Sequence, residues 1–202
     1  MAKLKIAVFA SGSGTNFQAI SDAVQAGKLD VSIELLVCDK AGAPVVERAE
    51  RAGVDTFVFA PKSFPSREAY EEEILAALKH RGVELIVLAG YMRIITPVLI
   101  EPYYGRMINV HPSLLPAFTG INAVRQALEY GVKVTGVTVH YVDGGLDTGP
   151  IIAQRTVDVL PGDTEETLTT RIQETERVLL PWTIGQIAEG HVRLDGRHVH
   201  VG

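Results

Sequence analysis

The chain has 202 residues, 47% of them hydrophobic, enough to bury a core in one domain or at most two small ones. A net charge of −5 provides no basic footprint for nucleic acid and no polybasic patch for a membrane. One cysteine, Cys38, excludes an internal disulfide and fits a reducing compartment.

The elements follow in chain order. "LKIAVFA" (4–10) reads as a buried strand and "NFQAISDAVQAG" (16–27) as a helix closed by Gly27. "SIELLVC" (32–38) is a strand that places Cys38 in an apolar run, as an inert buried thiol. "APVVERAERAG" (43–53) is a helix with Pro44 near its start. "DTFVFA" (55–60), "SREAYEEEILAALKHRG" (66–82) and "VELIVLAG" (83–90) repeat strand, helix, strand. The glutamates at 71–73 read as a solvated helix face. "TPVLIEPYYG" (96–105) predicts a helix and "RMINV" (106–110) a strand.

After an irregular stretch with Pro112, Pro116 and Gly120, "NAVRQALEYGV" (122–132) predicts a helix. "KVTGVTVHYVD" (133–143) and "IIAQRTVDVL" (151–160) predict strands around the loop "GGLDTGP" (144–150). "DTEETLTTRIQETERVLLPWTIGQIAEG" (163–190) is a long helix, capped by Asp163 with Glu166 at capping-box spacing and kinked or split at Pro181. "HVRLDGRHVHVG" (191–202) is a hairpin turning at Asp-Gly. No repeat, low-complexity tract or linker interrupts the chain. The reading is one α/β domain, 1–202, with a doubly wound, mostly parallel sheet covered by helices on both faces. Its halves divide at about residue 100. No apolar run is long enough to span a bilayer. The short apolar start runs on into a working loop rather than a signal peptide, so a cytoplasmic protein is expected.

Four stretches could carry chemistry. "ASGSGTN" (10–16) joins the first strand to the first helix. Its glycines allow close backbone approach, and the helix N-terminus offers free amides and a positive dipole end, which suits a phosphate. The plainer alternative is a Gly-rich turn with a good cap. Phe17 replaces the third glycine of a dinucleotide fingerprint, and no Gly-Lys-Ser/Thr is present.

Asn109 and His111 alternate on one strand face just where Pro112 stops the strand. An amide beside an imidazole can hold a developing oxyanion, and a histidine can move a proton near neutral pH. A hydrogen-bonded structural pair is the alternative. Asp147, between glycines at a sheet end, would favour the imidazolium of a nearby His111. Asp143 equally suits an Asp bound to its own loop backbone. His140 lies inside a strand pattern and reads either way. In "MRIIT" (92–96), Arg93 could touch an anion while its neighbours' backbone pairs with a flat heterocycle. Arg67 is a solvated charge or a carboxylate partner. The remaining histidines lack metal-ligand spacing.

"NVHPSLLPAFTG" with "VTVHYVDGGLDTGPII" resembles the folate-dependent formyltransferases, and "FASGSGTNFQAI" narrows this to the phosphoribosylglycinamide formyltransferase family of purine biosynthesis. The likeness runs over nearly the whole chain, and the three motifs are specific together and in this order. It implies the formyltransferase fold, with a Rossmann-like N-terminal half for the nucleotide phosphate (about 1–100) and a catalytic and folate half (about 101–202). It implies formyl transfer from 10-formyltetrahydrofolate to the amine of glycinamide ribonucleotide, without a metal.

Asn109, His111 and Asp147 match the family's catalytic residues. Gly14, Thr15, Asn16, Gln173 and Glu176 match contacts to the ribonucleotide. Arg67, Met92, Arg93, Ile94 and Ile95, with Asn109, Asp143, Gly144, Gly145, Leu146 and Asp147, match the folate side. The chain departs from the pattern at Thr119, where many members have Pro, at Asn122, where many have His, and at Gly144, where an acidic residue is frequent.

The resemblance implies small-molecule partners only, no nucleic acid or membrane, and a monomer or homodimer. Formyltetrahydrofolate deformylase and methionyl-tRNA formyltransferase carry an added domain for which this chain has no room. A non-catalytic nucleotide- or folate-binding protein would not need all three catalytic matches. A nicotinamide-dependent oxidoreductase would need the missing glycine.

Overall fold

Apolar runs that alternate with amphipathic segments must bury both of their faces, and they do so here as strands of a sheet. The computed structural model describes residues Met1–Gly202, which group into two units, Met1–Ile108 and Asn109–Gly202.

In the first unit the strands are β1 (Leu4–Ala10), β2 (Val31–Cys38), β3 (Thr56–Val58) and β4 (Leu85–Leu88). β1 pairs in parallel with β2 and β4, and β2 in parallel with β3. Parallel neighbours require crossovers, supplied by helices α1 (Thr15–Gln25), α2 (Pro44–Arg51) and α3 (Arg67–His80). Ile6, Val8, Phe9, Leu36, Val37, Ile86 and Val87 are fully buried. Each such side chain contributes about 1.5–3 kcal/mol relative to exposure. The segment predicted as a helix over 96–105 forms only a short α4 (Pro97–Ile100), followed by turns. Pro102 has no amide to donate to the next helical turn.

β5 (Met107–His111) begins at the end of the first unit and finishes in the second. The second unit adds α5 (Ala123–Tyr130), β6 (Val134–Tyr141), β7 (Ile151–Asp158), α6 (Glu165–Ala188) and the hairpin β8 (Val192–Asp195) with β9 (His198–Val201). The strand order is β3-β2-β1-β4-β5-β6-β7, with β8-β9 a separate pair. β7 runs antiparallel to β6, the minority direction in a mostly parallel sheet.

Two local expectations are corrected and a third is narrowed. Thr164, not Asp163, caps α6, in a capping box closed by Thr167. Asp163 is drawn away by Leu160 N, Thr167 Oγ1 and Arg171. Pro181 lies inside α6 without splitting it. Pro181 and Arg177, whose carbonyl loses its amide partner, are both half-exposed, so water can take that carbonyl. The hairpin turns at Gly196–Arg197 rather than at the Asp-Gly pair, because Asp195 pairs with His198. No helix is long and apolar enough to cross a membrane.

Candidate active site

β5 presents Asn109 and His111 from the same face at its carboxyl end. His111 is buried, and its Nε2 lies 2.8 Å from the Phe118 carbonyl oxygen. A carbonyl only accepts, so Nε2 carries a hydrogen. Any second proton therefore sits on Nδ1, which faces Asp147 Oδ2 at 3.6 Å. That distance is an ion-pair contact, too long for a direct hydrogen bond.

The Asp147 carboxylate is aimed by more than sequence position. Oδ2 accepts from Gly120 N at 2.7 Å, and the backbone takes a left-handed φ of 53°. Phe118, whose carbonyl holds His111, also has positive φ, at 55°. A bulky residue there is strained. The stretch between His111 and α5 is tied down by Ser113 Oγ donating to Ala117 O, and by Gln126 Nε2 donating to Thr119 O and Ile121 O. These ties hold the loop on both sides of Thr119. Asn122 begins α5 in a left-handed conformation and makes no side-chain cap.

His140 resolves as part of this group. Its Nδ1 donates to the Tyr141 carbonyl at 2.8 Å, which leaves Nε2 bare to accept from Asn109 Nδ2 at 3.2 Å. Burial lowers the His140 pKa, and the nearby Tyr141 carbonyl and Asp147 only partly offset it. His140 thus stays neutral and fixes which way the Asn109 amide points. One of the two Asn109 N–H bonds is engaged there and the other is left to donate. The strand pattern around His140 gives no sign of this, because the partner is on another strand.

In the first unit the "ASGSGTN" loop is rigidly built. Gly14 precedes α1 with φ 75°, and a Cβ on it would lie 2.5 Å from Val45 Cγ2. Val45 N donates to Gly12 O, and Arg48 donates to Ser13 O at 2.8 Å and to Gln18 at 3.2 Å. No side chain caps the N-terminus of α1, which Thr15 and Asn16 begin. Sequence reasoning did not single out Arg48.

Met92 and Ile94 are exposed, at 67% and 68%, although both are apolar. Their segment is anchored by polar groups. Ser11 Oγ accepts from Met92 N, and Asp39 accepts from Arg93 Nε at 2.7 Å. Thr96 N and Oγ1 both donate to Glu71. Asp39 keeps Arg93 still more firmly charged. Glu71, expected on a solvated face, is fully buried, while Glu72 and Glu73 are exposed. It lies at helical spacing with Ile74 and Leu78 on the buried side of α3. Burial raises its pKa against the opposing bonds from Thr96. Ile95 is half-buried. Arg67 is exposed at the first position of α3, where the helix dipole opposes a cation.

The loop between β6 and β7 is organised by Asp143, whose Oδ1 accepts from Gly145 N at 2.9 Å and Thr148 Oγ1 at 2.6 Å. Burial alone would raise its pKa, but these bonds and the Arg197 charge outweigh burial and hold it below the ordinary range. Gly144 has open space around it, and Leu146 is exposed. On α6, Gln173 is exposed and Glu176 is buried. Cys38 is buried, which raises its thiol pKa. No group of three or more His, Cys, Asp or Glu side chains is arranged to hold a metal ion.

The sequence profile described as formyl transferase matches residues 4–184. The phosphoribosylglycinamide formyltransferase of Bacillus subtilis (strain 168) is 52% identical over 183 residues, covering 91% of this chain and 94% of that protein. A crystal structure of glycinamide ribonucleotide transformylase 1 from Symbiobacterium toebii superposes with a TM-score of 0.96 at 46% identity, covering 99% of this chain and 94% of that one. A formyltetrahydrofolate deformylase from Pseudomonas syringae pv. tomato superposes with a TM-score of 0.92 at 27% identity, covering 98% of this chain and 66% of that one.

Proposed function

Because this chain belongs to the formyl transferase family, we propose that it moves a formyl group from 10-formyltetrahydrofolate to the amine of glycinamide ribonucleotide. The products are formylglycinamide ribonucleotide and tetrahydrofolate, a step of purine biosynthesis. Residues 1–202 serve this reaction as one functional domain.

The observation that carries the mechanism is the grouping of the buried His111 and His140 with the half-buried Asn109 and Asp147. The attacking amine forms a C–N bond to the formyl carbon, and negative charge develops on the former carbonyl oxygen. The free N–H of Asn109 and the imidazolium of His111 stabilise that oxygen. Asp147 stabilises the charged His111. The amine gives up a proton as the bond from the formyl carbon to the folate nitrogen breaks. That nitrogen takes a proton as it leaves, with His111 as the carrier. The reaction written in this way uses no metal.

The α1 N-terminus with Gly14, Thr15 and Asn16 binds the ribonucleotide phosphate, and Gln173 and Glu176 contact the same substrate. The exposed apolar Met92 and Ile94 on either side of the charged Arg93 suit a flat ring system with an anionic tail. Arg67 and Ile95 in the first unit, and Asn109 and the Asp143–Asp147 loop in the second, are the further residues we assign to the folate by their match to the family.

The test is to mix the protein with 10-formyltetrahydrofolate and follow folate release with and without glycinamide ribonucleotide. Release that depends on the ribonucleotide, with formylated product, is expected. Release as formate without it would replace this reading with a hydrolase, the reaction suggested by the deformylase likeness.

A further inference from the structure

The loop that carries Asp147 is poorly suited to holding itself still. It runs from Tyr141 at the end of β6 to Ile151 at the start of β7 and contains Gly144, Gly145 and Gly149. Glycine loses the most backbone freedom on ordering, so such a loop must be tied to stay in place. Asp143 ties it internally through Gly145 N and Thr148 Oγ1. Gly149 lies so close to the Tyr141 carbonyl that a Cβ there would sit 1.7 Å from its oxygen.

A further tie comes from the C-terminal hairpin. Arg197 Nη1 donates to the carbonyl of Thr148, the residue after Asp147. The Arg197 charge also helps hold the Asp143 carboxyl ionised. The guanidinium thus bears on both ends of the internal tie, Asp143 and Thr148.

Arg197 is itself well placed to act in this way. It is the second residue of a two-residue turn closed by the Asp195–His198 pair, and Gly196 before it has φ 58°. So short a turn fixes where the Arg197 side chain starts. β9 packs on β7, the strand into which the loop feeds. The hairpin lies beyond residue 184, where the match to the family ends.

We propose that Arg197 is a positioning residue, and that through Thr148 and Asp143 the C-terminal hairpin sets the loop that presents Asp147 to His111. This rests on the formyl-transfer reading above. The Arg197 guanidinium donates to the Thr148 carbonyl while its charge acts on the Asp143 carboxylate through space; a lysine keeps the charge but not the planar, fixed donor geometry.

The experiment compares Arg197→Met, Arg197→Lys and Asp143→Asn with the wild-type chain in steady-state formyl transfer, varying each substrate, alongside thermal unfolding. Arg193→Met, on the exposed face of β8, is the control. For Arg197→Met the expected result is a KM for the formyl donor raised about fivefold and a kcat lowered about tenfold, with the ribonucleotide KM and the unfolding temperature unchanged. Arg197→Lys recovers part of the loss. Arg197→Met combined with Asp143→Asn costs less than the product of the two, because both act on one loop.

Wild-type kinetics in Arg197→Met overturn the inference. So does a loss shared by the ribonucleotide KM and the unfolding temperature, which would make the contact merely structural. Asp147→Asn separates the two readings. If it is inactive while Arg197→Met is wild type, only the hairpin inference fails. If it keeps full rate, the site reading fails.

Discussion

Asp147→Asn changes one charge and almost nothing else. The new side chain keeps an oxygen for the Gly120 amide that Asp147 Oδ2 now accepts at 2.7 Å, so the loop's left-handed turn persists. What is lost is the negative charge 3.6 Å from His111 Nδ1. Two unit charges at that separation interact by about 4–5 kcal/mol at an effective dielectric of about 20. The Asp147 side chain is 11% exposed, so solvent screens the pair less than it would at a surface. The part of this energy realised in the transition state corresponds to roughly a 10²–10³-fold loss in kcat, in line with the loss of one oxyanion-stabilising group. The assay is steady-state formyl transfer at saturating concentrations of both substrates. Ribonucleotide affinity, measured calorimetrically, serves as the control and should be unchanged. A variant within about threefold of the wild-type kcat would refute the reasoning.

Other perturbations test other contacts. His140→Leu removes the acceptor that orients Asn109 Nδ2, and kcat should fall about tenfold or more. In an Asn109→Ala background the same change should cost little further, and an equal loss there would deny the coupling. Gly14→Ala places a methyl 2.5 Å from Val45 Cγ2 on a backbone with φ 75°. The left-handed conformation alone costs about 1–2 kcal/mol, so urea unfolding should show a loss of at least that size, with a raised ribonucleotide KM. Glu71 is buried and its pKa is raised, so the folded protein holds that proton more tightly than the unfolded chain. Its contribution to stability is complete below the ordinary glutamate value of about 4.3 and is lost as pH rises through the raised folded value. Glu71→Gln keeps an acceptor for Thr96 N and should flatten that slope in urea unfolding from about pH 4 to about pH 8. An unchanged slope would assign it to other groups.

Much of this could be read from the chain itself. The strand and helix alternation of residues 4–90 follows from apolar runs and amphipathic spacing, which are local properties. The pair Asn109 and His111 could be read because a strand's period of two puts both on one face and Pro112 must end it. The membership in a family of formyl transferases came from three motifs in order, each a contiguous stretch. Glu71 reads locally as one of three surface glutamates, yet its spacing with Ile74 and Leu78 puts it on the buried side of α3. Asp163 and Thr164 can both cap a helix, and it was the competing claims of Leu160, Thr167 and Arg171 on Asp163 that left Thr164 the role.

Only the tertiary structure could decide which polar group meets which. His140 reaches Asn109 across 31 positions, Asp147 meets Gly120 across 27, and Arg197 meets Thr148 across 49. Periodicity and residue type dictate what a side chain offers and which face it leaves from. The partner it finds depends on strand order, loop path and the exclusion of water, and these are properties of the folded chain as a whole.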